Sequence, residues 1–309
     1  MKTEDLVRKF VHLKRQTGLK YEVEEKILLK FSSKMNQSLA SISENDVSAY
    51  FNEIQDADPK QRAYFSIRLF FRWCVDRKYL KKSPVYYLAP RYKPSDFVPY
   101  IYSVEEIKRI LKQALSYDDK SSPLQGRTFY TLLLLVYACG LRLGEAIALR
   151  IEDVDFEHNL VLIRESKFRK SRQLPVCDDL ISVLQKYLLA RRKFLPCISG
   201  NASPFFATRT GHRFLGTQIA HLFERVRDDI GLKIPGRKIQ PRIHDLRHSF
   251  AVHRLLECYK SGESIRQFLP ALSTYLGHKD IEDTKTYLTL TRELKQLVSD
   301  KFEKSVWGE

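Results

Sequence analysis

Apolar positions over the first 88 residues recur at helical intervals. Val23, Ile27 and Phe31 stand four apart, and residues spaced by four share one helix face, so this segment is predicted as a helix. Ser43-Glu-Asn-Asp46 carries the residue types that open a helix, here over residues 47–54, and a longer helical run extends over about 59–79. In that run Phe70, Phe71, Trp73 and Cys74 fall toward a core, while Arg68 and Arg72 share another face. The pattern then breaks: Pro90, Pro94 and Pro99 interrupt any regular element, which predicts an extended basic linker.

Helical periodicity returns at Ser103-Val-Glu-Glu106, a capping box ahead of Ile107, Ile110, Leu111 and Leu115. A nearly all-apolar helix over 128–139 stops at Gly140, another begins near Gly144, and Arg142 lies on the turn between them. Two short strands, over 159–165 and 172–176, are joined by Ser166-Lys-Phe-Arg-Lys-Ser171, a hairpin with a basic tip. From Leu180 onward the pattern is helical, apart from a loop over 199–212 and a basic loop over 233–242. The predicted fold is mainly α with a small β-hairpin or sheet. It divides into a helical domain over 1–90, a linker over 91–101, and an α+β domain over 102–309.

Charge narrows the partner. The chain has 309 residues, with Lys+Arg 53 against Asp+Glu 37 and a formal net charge of +16, and its pI is about 9.5. That balance favours a polyanion, nucleic acid before membrane, although a merely soluble basic protein would share it. The excess is spread over both halves. Between Pro59 and Lys82 the one acidic residue is Asp76, which suits a helix laid along DNA phosphates through Arg68 and Arg72; an ordinary solvated face is the alternative. Arg237, Lys238 and Arg242 in the second basic loop, and Arg169 and Lys170 at the hairpin tip, are the other expected DNA contacts. The five cysteines, Cys74, Cys139, Cys177, Cys197 and Cys258, show no C-x-x-C pair, so neither a disulfide framework nor a zinc site is expected. The N-terminus lacks the apolar stretch of a signal peptide and the longest apolar run, over 131–139, is too short to span a bilayer. A cytoplasmic protein is expected, nucleoid-associated when bound to DNA.

The candidate chemistry lies in the second domain. Arg142, His244, Arg247, His278 and Tyr287 are the residue types that phosphodiester cleavage needs. Arginines fork onto non-bridging phosphate oxygens, histidines bond or shuttle protons, and a tyrosine can attack phosphorus and hold it covalently. Blander readings are an Arg142–Glu145 ion pair, a helix-capping His244 and a packed His278. His248 is read as structural, because Phe250 and Ala251 continue the same apolar helix start.

The ordered set Ala138-Cys-Gly-Leu-Arg142-Leu-Gly-Glu145, Glu165-Ser-Lys167, His244-Asp-Leu-Arg247-His-Ser-Phe-Ala, Leu276-Gly-His278 and Thr284-Lys-Thr-Tyr287-Leu resembles the tyrosine recombinases, or phage integrase family. The likeness covers the second domain and, more weakly, the first, with Phe71-Arg-Trp and Lys82-Ser-Pro84. Residues 259–270, between Arg247 and His278, make a longer insert than in compact members and are more like recombinases of mobile elements.

The resemblance implies a helical core-binding domain and a catalytic domain that cuts and rejoins DNA through a 3′-phosphotyrosyl intermediate. Tyr287 is then the nucleophile, Arg142 and Arg247 the phosphate clamp, His244 the base and His278 a phosphate hydrogen-bond donor. Lys167 is the general acid, with Lys170 and Arg169 near enough in sequence to compete, and Glu145 braces Arg142. No metal or other cofactor is expected, since these cations supply the charge that Mg²⁺ would, and the covalent link removes the need for ATP. Implied partners are double-stranded recombination sites and a homotetramer on DNA, with accessory recombinases or DNA-bending proteins possible. The helical stripe Leu294, Leu297, Val298 and Phe302 either completes the core or docks on a neighbouring protomer. A type IB topoisomerase, or a recombinase-like DNA-binding protein without activity, are the competing readings.

Overall fold

Helix-opening side chains and apolar stripes set the elements of the computed structural model, which describes residues 3–35, 38–85, 98–117, 124–164, 171–195, 200–237, 239–278 and 280–289. Lys167, Arg169, Lys170 and Lys238 lie outside the described residues, as do Cys197, most of the expected linker and the stripe beyond residue 292. The chain divides into two compact units, Met1–Asp96 and Phe97–Glu309. Fold class is as expected: mostly helical, with one small antiparallel sheet.

The first unit packs α1 (Thr3–Gln16), α2 (Glu22–Met35) and α3 (Glu44–Asn52) around α4 (Ala57–Asp76). Ser43 opens α3 as its sequence predicts: Asp46 N–H donates to the Ser43 hydroxyl, and the Asp46 carboxylate accepts from the Ser43 backbone. Phe70, Phe71 and Cys74 are fully buried, and Phe70 and Phe71 meet Phe10 and Phe31 edge-on. Arg68 and Arg72 are exposed on the other side of α4, with Arg68 lying over the Tyr64 ring. Two features differ from the sequence reading. Helix α1, with Leu6, Val7, Phe10 and Val11 buried, was not anticipated, and Val23 is exposed because α2 turns Leu28 and Phe31 inward instead.

The second unit is built around α6 (Gln125–Ala138), which packs on α5 (Val104–Leu115), α8 (Asp178–Phe194) and α10 (Asp245–Lys260). Leu132, Leu133, Leu135 and Val136 of α6 are wholly buried. Truncating a leucine in such a core costs about 2–5 kcal/mol, so α6 is a rigid platform for the turn that follows it. That turn leads into α7 (Leu143–Ala148). The sheet then follows as β1 (Val154–Asp155), β2 (Leu160–Ile163) and β3 (Arg172–Pro175), paired in the order β1-β2-β3. Strand β2 starts one residue later than predicted because Asn159 takes a left-handed conformation, φ 55°. Strand β1 is an addition that two residues could not signal.

Helix α9 (Gly216–Asp229) packs on α5, and α11 (Ile265–Leu276) on α10. The long insert between the motifs is thus the end of α10, a turn over 261–264 and the first half of α11, with Pro270 inside that helix. The short helix α12 (Glu282–Lys285) and a 3-10 turn over Thr286–Thr289 bring Tyr287 back against α10.

Candidate active site

Gly140 fixes the first arginine. Its φ of +57° ends α6, and a Cβ there would lie 2.5 Å from Phe250 Cδ1 and 2.7 Å from Leu276 Cδ2, so only glycine lets the turn press against α10 and α11. Arg142 follows as the residue just ahead of α7. Its backbone N–H donates to Glu145 Oε2 at 3.0 Å, its Nη1 to Glu145 Oε1 at 2.9 Å and its Nη2 to the Gly277 carbonyl at 3.2 Å. The Arg142–Glu145 pair that competed with a catalytic reading therefore exists as part of a larger network. The Glu145 carboxylate, only 7% exposed, also takes both terminal nitrogens of Arg172, at 3.1 and 2.9 Å. Burial would raise its pKa, but the hydrogen bonds and charge of Arg172, followed by those of Arg142, bring it below the ordinary carboxylate value.

Arg247 lies on the first turn of α10 and is 2% exposed. Its Nη1 donates to the Gly140 carbonyl at 2.7 Å and its Nη2 to the Leu276 carbonyl at 2.8 Å. One guanidinium thereby ties together the turn that carries Arg142 and the loop that carries His278. Burial, and after it the charge of Arg142, lower its pKa to about 10, which leaves it cationic at neutral pH.

Tyr287 is 3% exposed. Burial raises its pKa, against the lowering influence of Arg247 and Arg142. The histidine against its hydroxyl is His248, whose Nδ1 lies 3.2 Å away. His248, expected to be structural, thus touches the Tyr287 hydroxyl, and it stands one helical turn beyond His244, the histidine expected to act on it. The His244 ring packs perpendicular to that of His248, with centroids 5.0 Å apart, and makes no side-chain capping bond. His278 stacks on the Tyr287 ring at 6.1 Å between centroids, and its Nδ1 meets Thr284 Oγ1 at 2.7 Å. Burial comes first in depressing all three imidazoles. His244 is also lowered by Arg247, His248 falls to about 3 with the help of His244, and His278 falls to about 4 with the help of Arg247. His248 and His278 are therefore neutral near pH 7.

Arg142, Arg247, His248, His278 and Tyr287 thus share one centre, with His244 behind His248 and Glu145 behind Arg142. Tyr275 faces elsewhere: its hydroxyl donates to the Pro175 carbonyl at 3.3 Å and its ring stacks on Phe250. Arg242 is exposed and donates from its backbone to Asp245. Arg237, also expected on DNA, donates to the Val98 carbonyl at 2.7 Å and lies over the Tyr100 ring. Sequence reasoning missed Arg172 and the contact of His248. Both depend on elements that meet only in the fold, though the Arg247-His pair offered a signal: His248 lies four residues after His244 and so on its helix face.

The sequence matches the phage integrase family over residues 102–293. It is 33% identical over 304 residues, 96% of each chain, to a protein of Sinorhizobium fredii (strain NBRC 101917 / NGR234) described as an integrase/recombinase, y4rB. It is 29% identical over 256 residues to the tyrosine recombinase XerC of Chlorobaculum parvum (strain DSM 263 / NCIMB 8327), covering 78% of this chain and 71% of that one. Its fold is similar to the Tn1549 transposon integrase in complex with transposon right end DNA, with a TM-score of 0.67 at 16% identity over 93% of this chain and 94% of that one. A glycine-set arginine turn, a second arginine bonded across it and a buried tyrosine between histidines, in a chain matched to the family over residues 102–293, make this protein a member of the phage integrase family of tyrosine recombinases, the enzymes of site-specific DNA recombination.

Proposed function

We propose that the chain cuts and rejoins double-stranded DNA at a defined site through a 3′-phosphotyrosyl bond to Tyr287, as the recombinase of a mobile element. The observation that carries this reading is the setting of Tyr287, a buried phenol beside a neutral imidazole nitrogen and under the influence of two guanidinium groups. Attack by its Oη forms the P–Oη bond and breaks P–O5′. The phenolic proton passes to His248 Nδ1 in concert with attack, which a group of pKa near 10 requires. Lys167 gives a proton to the departing O5′. Arg142 and Arg247 meet the charge that builds on the non-bridging oxygens. His278, whose Nδ1 is engaged by Thr284, keeps Nε2 for the phosphate, and Glu145 holds Arg142. The covalent bond conserves the phosphodiester's free energy, so rejoining needs no ATP.

The unit over residues 1–96 would grip DNA phosphates with the exposed face of α4, through Arg68 and Arg72, aided in the second unit by Arg242 and the basic hairpin tip. Strand exchange joins two duplexes, each cut at two positions, so four copies act together, assembled through residues from about 292 onward. A protein that recombines DNA in this way would work in the cytoplasm, at the nucleoid. Among the described residues no helix is long and apolar enough to cross a membrane.

A supercoiled plasmid carrying two copies of the element-end junction tests this reading. Products with exchanged flanks are expected. Relaxation at many positions without exchange would mean a topoisomerase, and binding without either would mean an inactive relative. A chain ended before residue 292 should still bind one site yet fail to pair two; equal loss of both would make the tail intramolecular core. The acid role has its own signature. Lys167→Ala should slow cleavage of ordinary DNA and recover when O5′ is replaced by sulfur, a leaving group that needs no proton. Recovery by Lys170→Ala instead would move that role three residues along the hairpin.

A further inference from the structure

We propose that Arg172 is a positioning residue of this site: it neutralises Glu145 so that Arg142 keeps its charge for the scissile phosphate, and it locks the Arg142 turn to the His278 loop. The inference rests on the recombinase reading above and adds to it a residue that no motif marks.

Arg172 is the first residue of β3. Its two terminal nitrogens take both oxygens of Glu145, and its Nε donates to the Tyr275 carbonyl at 2.9 Å. The guanidinium sits directly beneath Gly277. A Cβ at that position would lie 2.7 Å from Arg172 Nη1, and Gly277 has φ +69°, so the glycine before His278 both ends α11 and leaves room for this arginine. The Gly277 carbonyl in turn accepts from Arg142. Arg172, Glu145, Arg142 and the segment 275–277 therefore form a closed ring of bonds spanning β3, α7 and the end of α11.

Charge gives the ring its purpose. Glu145 is a buried carboxylate, and a buried charge needs a partner. If Arg142 were its only cation, the two would form a neutral pair, and a phosphate would have to compete with Glu145 for Arg142. With Arg172 bound to both carboxylate oxygens, the group of three carries one net positive charge, and Arg142 still uses Glu145 for orientation. Lysine could not replace Arg172 fully, because an ammonium cannot span both oxygens and the Tyr275 carbonyl in one plane.

The test compares two DNA substrates in single-turnover cleavage by the full chain. One has an ordinary scissile phosphate; the other has a methylphosphonate there, with one charged non-bridging oxygen replaced by a neutral methyl. Each variant is measured against wild type on the same DNA. Arg172→Gln should slow ordinary cleavage about 100-fold, the loss typical of a misplaced charge-stabilising donor. On the methylphosphonate its deficit should shrink to a few-fold, because the charge that Arg142 must meet is gone. Arg172→Lys should show the same pattern at about a tenfold loss, and it carries the comparison if Arg172→Gln fails to fold. Glu145→Gln added to either should cost little more than the single change, since both act through Arg142. Equal slowing on both substrates, additive losses, or wild-type rates in the variants would overturn the proposal. Wild-type protein that attaches to neither substrate would instead overturn the recombinase reading itself.

Discussion

Tyr287→Phe is expected to abolish covalent attachment to DNA while leaving site binding nearly intact. The change removes one oxygen and keeps the ring that packs between His248 and His278, so the fold around it is preserved. The lost hydrogen bond to His248 costs only about 1 kcal/mol of stability, whereas the proposed nucleophile is lost entirely. Trapping on a nicked duplex, with a gel shift at matched concentration, separates the two effects. Attachment that persisted would put the nucleophile elsewhere. The nearby Tyr275 is no substitute, because its hydroxyl is held by Pro175 and its ring by Phe250, so the variant should show no residual adduct.

Arg247→Gln should be the most damaging change outside the nucleophile, and it should act twice. In the reaction it removes a fixed cation from the phosphate, a loss of about 10²–10³ in rate for a preorganised donor. In the fold it removes the donor shared by the Gly140 and Leu276 carbonyls; leaving buried acceptors unmet costs about 1–3 kcal/mol. Arg247→Lys keeps the charge but reaches one carbonyl at most, so it should recover part of the stability and little of the rate. Thermal melting and single-turnover cleavage measure the two losses independently. A variant that melted early yet cleaved at wild-type rate below its transition would confine Arg247 to a structural role.

The parts of this site legible in the sequence are those whose signal is local. Ser103 and Glu106 form the capping box that their spacing announces, and Gly140 ends α6 where the apolar run stops. Arg142, Arg247, His278 and Tyr287 sit in short motifs that predicted their company before any contact was known. The rest is set by contacts between distant segments. Arg172 reads as an unremarkable strand residue until β3 is laid against α7 and the end of α11. His248 follows Arg247 in an apolar helix start, and its contact with the Tyr287 hydroxyl emerges only when the 3-10 turn over Thr286–Thr289 folds Tyr287 onto α10. Arg237 shows the same limit: a basic loop suggests DNA, and the carbonyl and aromatic ring that engage the side chain within its unit have no signal in that loop. Helix α1, by contrast, has a local signal, with Leu6 and Phe10, and Val7 and Val11, each four apart on its buried face.

The central claim is that Tyr287 becomes joined to the 3′ side of a discrete DNA cut. The most direct measurement incubates the full chain with DNA spanning the flanks of its gene and the junction of its circularised element, traps covalent complexes, and identifies both the modified peptide and the polarity of the attached strand. The account predicts a peptide containing Tyr287, a 3′-phosphotyrosyl bond and a free 5′-hydroxyl at one defined position. Linkage through a 5′ phosphate, linkage at another residue, or site binding with no adduct would contradict it.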